Sequence, residues 1–182
     1  GIAGVGGSGK EELCRAVFGA EPLYDGKVYV NGKRTKLSSP AYAVRHGIGY
    51  VPADRRSEGA APGLSVRANM TLTSLSGYSR LGFINRKKER EKARSWSKSL
   101  NIRASSLDDP MATLSGGNQQ KAVLARWLLV PHLRVMILDH PARGLDVGAK
   151  SEVYDFVRDL AANGVAVILL ADSLEELIEL SE

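Results

Sequence analysis

The chain has 182 residues, the length of one domain at roughly 100 to 200 residues per domain; 43% of its residues are hydrophobic and 25% are charged. These proportions exclude global disorder and supply enough apolar side chains for a core. The apolar runs are far shorter than the roughly 20 residues of a membrane-spanning helix, so we predict that the chain does not cross a bilayer. Cys14 is the single cysteine, which excludes an internal disulfide and favours a reducing compartment.

The net charge of +5 is concentrated in residues 80–103, which hold nine Lys/Arg and two Glu and so carry +7, against −2 for the rest. The pattern favours the solvated face of one helix, with binding to a phosphate backbone or to lipid head groups as alternatives. The basic residues are Arg80, Arg86, Lys87, Lys88, Arg90, Lys92, Arg94, Lys98 and Arg103.

The first third of the chain predicts strands alternating with helices. Residues 2–3 read as the end of a strand already under way, so we expect the sequence to be a piece of a longer protein. A Gly-rich loop follows, and then a helix over residues 10–19 with Leu13, Val17 and Phe18 on one face. Residues 27–33 alternate and contain Asn31-Gly32, which predicts a small antiparallel hairpin, and residues 48–51 predict a buried strand stopped by Pro52.

The middle of the chain differs, because strand signals fade between residues 58 and 110 and Ser, Arg, Lys and Leu dominate. We predict that residues 58–110 form a helical subdomain inserted into one domain spanning residues 1–182. The alternation then resumes, and an α/β fold around a mostly parallel sheet is the expected class. The later elements are predicted as helices over 117–130 and 147–162, strands over 134–138 and 165–170, and an amphipathic segment over 174–180.

Residues 4–10 fit the pattern G-x-x-x-x-G-K between a strand and a helix, which is the context of a phosphate-binding loop. Glycines let backbone N–H groups curl around phosphate oxygens, the helix N-terminus adds partial positive charge, and the lysine reaches the outer phosphates. The alternative is a plain Gly-rich turn, which the full spacing disfavours. The phosphate-binding candidates are Gly4, Gly6, Gly7, Ser8, Gly9, Lys10 and Glu11.

Glu11 stands where this motif has a Ser or Thr whose hydroxyl ligates Mg²⁺. Its carboxylate could still reach Mg²⁺, but it would lie near phosphate charge and weaken nucleotide binding or misplace the metal. The structural alternative is that Glu11 and Glu12 stabilise the first helical turn through the helix dipole.

Four further segments make a family resemblance specific. Residues 114–121, Leu-Ser-Gly-Gly-Asn-Gln-Gln-Lys, resemble the signature sequence of ABC-transporter ATPases, in the variant typical of carbohydrate importers. Residues 135–139 resemble a Walker B strand, and residues 141–150 resemble the D-loop of the same group. Residues 49–56 are similar to the segment that replaces the Q-loop glutamine sequence in the second half of these proteins.

The chain thus resembles the second nucleotide-binding half of two-half ATPase subunits that serve ribose-, galactose- or xylose-type importers. The resemblance implies a P-loop NTPase fold with an ABC-type helical subdomain, with ATP and Mg²⁺ as cofactors. It also implies that two such domains stack head to tail, each ATP lying between one phosphate loop and the other domain's signature sequence. The structural alternative for Ser115 is a simple helix cap. The implied signature residues are Leu114, Ser115, Gly116, Gly117, Asn118 and Gln119, and the D-loop residues are Gly144, Leu145 and Asp146.

The same resemblance indicates a degenerate hydrolytic site. Asp139 keeps the Mg²⁺ role of the Walker B aspartate, but His140 takes the place of the glutamate that polarises water, and Asp172 takes the place of the switch histidine. We count His140 and Asp172, with Asp54 of the Q-loop-like segment, as the catalytic candidates. One hypothesis is that His140 and Asp172 still pair with exchanged roles; the alternative is that each drifted independently.

The resemblance implies an ATPase domain that couples ATP hydrolysis to sugar import. The expected partners are the first half, a second copy of the subunit, a membrane permease and, indirectly, an extracytoplasmic sugar-binding protein. The expected location is the cytoplasmic face of a bacterial membrane. One alternative is a silent regulatory half that binds nucleotide or nothing; another is a soluble ABC ATPase acting on nucleic acid, although no nucleic-acid partner is expected.

Overall fold

The computed structural model describes residues 1–80 and 82–181. Seven helices and seven strands in those ranges are labelled here in chain order. The helices are α1 Lys10–Phe18, α2 Pro40–Arg45, α3 Val66–Thr71, α4 Arg86–Ser99, α5 Gly116–Leu128, α6 Val147–Ala162 and α7 Leu174–Leu180. The strands are β1 Tyr29–Val30, β2 Lys33–Arg34, β3 Ile48–Val51, β4 Ser79–Arg80, β5 Phe83–Ile84, β6 Val135–Asp139 and β7 Ala166–Leu170.

A parallel sheet with strand order β3-β6-β7 forms the centre of the molecule. Ile48 of β3 pairs with Val135 of β6, which in turn pairs with Ala166 of β7. Ile2 continues the sheet beyond β7 through a parallel bridge to Leu170. The apolar runs read as strands in the sequence are therefore the central strands, as expected for a sheet covered on both faces. The predicted α/β class is confirmed.

The core packs α5 and α6 against this sheet. Val123 and Leu124 of α5 and Met136 and Ile137 of β6 are almost fully buried, and Phe18 of α1 stacks on Tyr50 with ring centroids 5.2 Å apart. Cys14 is buried too, in keeping with a small hydrophobe in the core, and burial raises the pKa of its thiol to about 11. The helix face predicted for α1 is wrong at Leu13, which is 49% exposed, because Cys14 and Phe18 turn toward the sheet instead.

The small antiparallel piece is present as the β1–β2 hairpin, in which Tyr29 pairs with Arg34. Asn31 and Gly32 both have positive φ angles, of 52° and 72°, which a two-residue turn of this hand requires. The α1 helix ends at Phe18 because Gly19 adopts the left-handed conformation, one residue before the predicted end.

Residues 58–110 contain α3, a 3₁₀ segment over Leu72–Tyr78, and α4. They also hold the short β4–β5 hairpin, which the sequence did not predict because each strand is only two residues long. The long helix α4 buries Glu89, Ala93 and Ser97 and turns its Lys and Arg side chains to solvent. In the described residues no helix is long and apolar enough to cross a membrane.

Candidate functional site

The carboxyl edge of the parallel sheet carries the predicted site residues of four separate segments. Residues 4–10 follow Ile2, Asp54 follows β3, His140 follows β6 and Asp172 follows β7. Parallel strands bring their carboxyl ends to one edge, and this edge is where α/β folds bind ligands. Segments that are distant in the sequence therefore meet in one place.

The phosphate-loop candidates form a turn into α1. Ser8 N donates to the Val5 carbonyl at 3.1 Å, and Gly7 and Gly9 have φ angles of 76° and 85°. A Cβ on Gly6, Gly7 or Gly9 would meet no atom within 4 Å, so the space above the loop is open. Lys10 is the first residue of α1, which directs a cation and a helix N-terminus to the same place.

Glu11 already engages the lysine of the loop. Lys10 Nζ lies 2.8 Å from Glu11 Oε1, with the Lys10 side chain 9% exposed and the Glu11 side chain 31% exposed. The hydrogen bond from Lys10 lowers the pKa of Glu11 below its usual value. The residue that replaces the motif's hydroxyl therefore neutralises the lysine that would contact phosphate.

Asp139, the predicted Mg²⁺ ligand, is buried and uses both of its oxygens within the protein. Tyr50 donates its hydroxyl to Oδ2 at 2.8 Å, and His140 Nδ1 donates to Oδ1 at 2.5 Å. Burial, and then the hydrogen bond to Asp139, raise the pKa of Tyr50. Asp139 and Glu11 are ligand types that Mg²⁺ accepts, and Mg²⁺ needs only one or two carboxylates beside phosphate oxygens, but both are already engaged.

His140 and Asp172 approach each other without a hydrogen bond. His140 Nε2 lies 3.9 Å from Asp172 Oδ1, whereas Arg143 donates to the same oxygen from Nη2 at 2.7 Å and from Nε at 2.9 Å. The hydrogen bond with Asp172 raises the pKa of Arg143. His140 is also held through its backbone N–H, which donates to the Leu170 carbonyl, and it has a positive φ of 49°. Arg143, not His140, is the first partner of Asp172.

Asp54 is exposed and caps the helical turn Arg55–Gly59. Its Oδ1 accepts hydrogen bonds from the backbone N–H groups of Arg56 and Ser57. The Ser57 side chain, followed by these two backbone groups, lowers the pKa of Asp54. The carboxylate thus has a local structural role.

The signature candidates lie at the start of α5, with Ser115 at the N-cap. Asn118 donates to Ser115 Oγ from its side chain at 2.9 Å and from its backbone at 3.5 Å, and Gln119 donates to the Leu114 carbonyl at 3.0 Å. Ser115 is exposed, while Gly116 and Gly117 are partly exposed. The helix N-terminus is therefore open to a partner.

Close packing constrains the two glycines of this sequence to different degrees. A Cβ on Gly116 would lie 2.6 Å from Arg55 Nη2, and one on Gly117 would lie 2.9 Å from the Cβ of Ala149 on α6. Asp146 caps α6 by accepting from Ala149 N at 2.9 Å, and the preceding Gly144 has a φ of 68°. Leu145 is partly buried between them. The signature and D-loop candidates are therefore neighbours.

Arg55 and Arg143 contact the candidate site residues, although the sequence did not single them out. Arg55 Nη1 donates to the Arg143 carbonyl at 3.0 Å, and burial lowers the pKa of Arg55. Their signal lay in segments already recognised as motifs, since both are arginines flanking predicted site residues. Together they connect the Q-loop-like turn, the signature glycines and the loop that holds Asp172.

The described residues contain no hydrogen bond or ion pair that joins the phosphate loop directly to the signature sequence. The structure brings Lys10, Glu11, Asp139, His140 and Asp172 to one edge of the sheet. It leaves the signature residues on a separate, outward-facing helix end.

Comparison with known proteins matches these features to one family. The family model described as ABC transporter matches residues 1–143, and the chain belongs to this family. It is 43% identical over its full length to the ribose import ATP-binding protein RbsA of Geobacillus kaustophilus, covering 37% of that protein. It is 45% identical over 97% of its length to a putative ribose/galactose/methyl galactoside import ATP-binding protein of Rhizobium meliloti, covering 35% of it.

The chain therefore spans about a third of the length of the curated relatives it matches, which fits one half of a two-half subunit. Solved structures support the fold. A nucleotide-free ATP-binding cassette from an ABC transporter matches with a TM-score of 0.80 at 21% identity, over 97% of this chain and 71% of that one. A dimeric cassette in a post-hydrolysis state, bound to ADP and Pi, matches with a TM-score of 0.73 at 20% identity, over 92% and 72%.

Proposed function

We propose that this domain is the energy-coupling half of a sugar-import ATPase that completes a partner's ATP site and hydrolyses little ATP at its own. The relatives' names, which specify ribose or galactose import, support the substrate class. The partners would be another nucleotide-binding half, a second copy of the subunit and a membrane permease with its extracytoplasmic sugar-binding protein. The subunit would work at the cytoplasmic face of the membrane.

The observation that carries this proposal is the pair between Lys10 and Glu11 at 2.8 Å. Phosphoryl transfer depends on cations that neutralise phosphate charge and on a positioned water. At this site the loop lysine is paired with a carboxylate, and both Asp139 oxygens accept hydrogen bonds from Tyr50 and His140. A nucleotide would have to break the Lys10–Glu11 pair before gaining the lysine.

The loop still fits the phosphates of ATP, because the space beside Gly6, Gly7 and Gly9 is open and α1 begins there. Asp139 and Glu11 would hold the Mg²⁺ only by giving up some of their contacts with Tyr50, His140 and Lys10, and the metal would supply charge neutralisation when bound. We propose that His140 and Asp172 replace the usual catalytic set, less effectively, and that Asp54 contributes by capping the turn that carries Arg55.

The signature sequence differs from the phosphate loop because its serine is exposed, whereas the lysine of the loop is paired with a carboxylate. Ser115 is exposed and its Oγ is aligned by Asn118, so a hydroxyl and helix N–H groups can meet the γ-phosphate of an ATP held by another domain. We therefore propose that Ser115, Gly116 and Gly117 act in trans, and that residues 58–110 move with them as one helical subdomain during closure.

The test is ATP turnover by the full-length subunit with Ser115→Arg, Lys10→Ala or Ser151→Arg. Ser115→Arg should lower turnover by about 100-fold or more, the scale of losing a key phosphate-binding donor. Lys10→Ala should lower turnover by less than about threefold, because the site that contains Lys10 contributes little of the total hydrolysis. Ser151 is an exposed serine of α6 outside the site, and Ser151→Arg is the control for an added arginine.

Equal loss of turnover in Ser115→Arg and Lys10→Ala would show that Glu11, His140 and Asp172 form a working variant of the chemistry. A silent regulatory half predicts a different result. Nucleotide binding to the phosphate loop of this half would change turnover at the partner site, and Lys10→Ala would abolish that change and nothing else. The residues Glu11, His140 and Asp172, which replace the family's usual site residues, favour this second candidate when the half is considered alone.

A further inference from the structure

A cleft lies between α4 and the loop of residues 101–108, away from the proposed nucleotide site. Its volume is about 440 Å³, within the roughly 300–1,000 Å³ of small-molecule sites. One wall is formed by Arg90, Arg94 and Lys98, and the other by Asn101, Ser105 and Ser106.

The three cations line the cleft because they follow each other at four-residue spacing on α4 and so share one helix face. Arg90 Nη2 lies 3.3 Å from Asp108 Oδ2. Asp108 is itself bound by Arg67 at 2.8 Å, and this hydrogen bond lowers the pKa of Asp108. Among the residues that the structure describes, Arg94 and Lys98 have no ion-pair partner. The cleft lining thus carries Arg90, Arg94 and Lys98 against the carboxylate of Asp108, which Arg67 and Arg90 already engage, and so it has an excess of positive charge.

The opposite wall supplies short polar side chains. Ser106 Oγ accepts a hydrogen bond from Asp108 N at 3.1 Å, which leaves its hydroxyl proton to donate, and exposed Ser105 and Asn101 add further donors. Arginine forks with hydroxyl and amide donors are the groups that recognise phosphoryl oxygens. We propose that this cleft binds a phosphorylated small molecule, because cationic side chains on one wall stand opposite short polar side chains on the other.

The cleft is connected to the signature sequence by a short chain of hydrogen bonds. Arg103 N donates to Asn118 Oδ1 at 2.8 Å, and Asn118 Nδ2 donates to Ser115 Oγ at 2.9 Å. Lys121 of the same helix donates to the Asn101 carbonyl at 2.7 Å. A ligand that holds residues 101–106 against α4 therefore restrains the loop that orients Ser115, and its effect reaches the exposed end of α5.

The experiment is calorimetric titration of inorganic pyrophosphate into the full-length protein saturated with Mg²⁺-ADP, so that nucleotide sites are filled. The cleft variant is Arg94→Glu with Lys98→Glu. The matched control is Lys87→Glu with Lys88→Glu, which makes the same change of charge on exposed positions of α4 outside the cleft. The cleft variant should weaken pyrophosphate binding at least about tenfold relative to the control, which should bind as the wild type does.

Equal weakening in both variants would mean diffuse attraction to a basic helix and would overturn the proposal, as would wild-type binding by the cleft variant. Circular dichroism of each variant checks that α4 remains folded. Hydrogen exchange of the peptides over residues 101–121 should slow with pyrophosphate in the wild type and control only; no slowing would overturn the link to Ser115. Neither measurement depends on ATP turnover, so the cleft and the proposed function stand or fall separately.

Discussion

Two helices of this domain begin at sequences that the family resemblance assigns to phosphate binding, α1 at the phosphate loop and α5 at the signature. Around α1 the polar groups are paired with one another: Lys10 with Glu11, and Asp139 with Tyr50 and His140. Around α5, Ser115 is exposed, and within residues 1–80 and 82–181 its Oγ forms hydrogen bonds only with Asn118 of the same helix. The difference teaches that side chains set what a helix N-terminus offers a ligand: at α1 the lysine is paired with a carboxylate, whereas at α5 the capping serine remains exposed.

The support behind the two helix ends differs as well. Arg126 on α5 is buried and donates to the carbonyls of Gly59 and Asn69 and to Asn69 Oδ1, and burial lowers the pKa of Arg126 to about 10. On α1, Arg15 Nη2 donates to both carboxylate oxygens of Glu58 at 2.9 Å, at the surface. Glu58 belongs to the same Arg55–Gly59 turn as Gly59. A buried guanidinium that satisfies three acceptors is harder to remove than a solvated ion pair.

Among the variants that test this comparison, Arg126→Met should have the largest effect. Without the guanidinium, the Gly59 carbonyl and both Asn69 oxygens lose a donor in a buried place, and we expect unfolding free energy to fall by about 3 kcal/mol. Urea unfolding followed by tryptophan fluorescence measures the change. Arg103→Met, at an exposed side chain, is the control and should alter stability by less than about 0.5 kcal/mol. Wild-type stability in Arg126→Met would show that α5 is anchored by packing alone.

A smaller effect is expected at the phosphate loop from Glu11→Thr. The substitution frees Lys10 and restores a hydroxyl that Mg²⁺ accepts, so Mg²⁺-ATP affinity of this site should rise about tenfold. Equilibrium binding of a fluorescent ATP analogue to the full-length protein, with and without Mg²⁺, measures it. Glu12→Thr, in the same helical turn and exposed, is the matched control. If both variants bind equally well, the pair between Lys10 and Glu11 does not limit the site.

The smallest effect should follow Asn118→Ala, which removes the side chain that aligns Ser115 while keeping the hydroxyl itself. Turnover at the partner site should fall by about threefold to tenfold, since only positioning is lost. Steady-state ATPase assays measure the change, and Asn163→Ala, an exposed asparagine at the end of α6, serves as the control. Turnover unchanged in Asn118→Ala would mean that Ser115 is held by its backbone.

Much of this architecture follows from the sequence, because periodicity and motif spacing are local signals. The strands at residues 48–51 and 165–170 and the helix at 147–162 were predicted within about a residue of their observed ends. The β4–β5 hairpin was not, since two-residue strands leave no alternation to read. Leu13 was placed on the wrong face because the helix orientation is decided by packing of Cys14 and Phe18 against the sheet.

The site was predictable as a set of positions and not as a set of contacts. The sequence put Glu11, His140 and Asp172 in one site, and the structure adds that Lys10, Asp139 and Arg143 are their respective partners. Arg55 was hidden in the sequence, because its guanidinium acts on a carbonyl 88 residues away and no spacing rule connects the two. Such contacts depend on how loops cross at the sheet edge.

The absence of side chains at Gly116 and Gly117 has a consequence for how sequence change is tolerated. A larger residue at Gly116 would meet the tip of the Arg55 side chain, which is flexible and can move, whereas one at Gly117 would push α6 away at Ala149. Gly117 is therefore constrained from inside the domain as well as by any docked neighbour. In a mutational scan scored on folding alone, with no partner present, Gly117 would already be intolerant, Gly116 would accept small residues, and Ser115 would accept other residues that cap a helix.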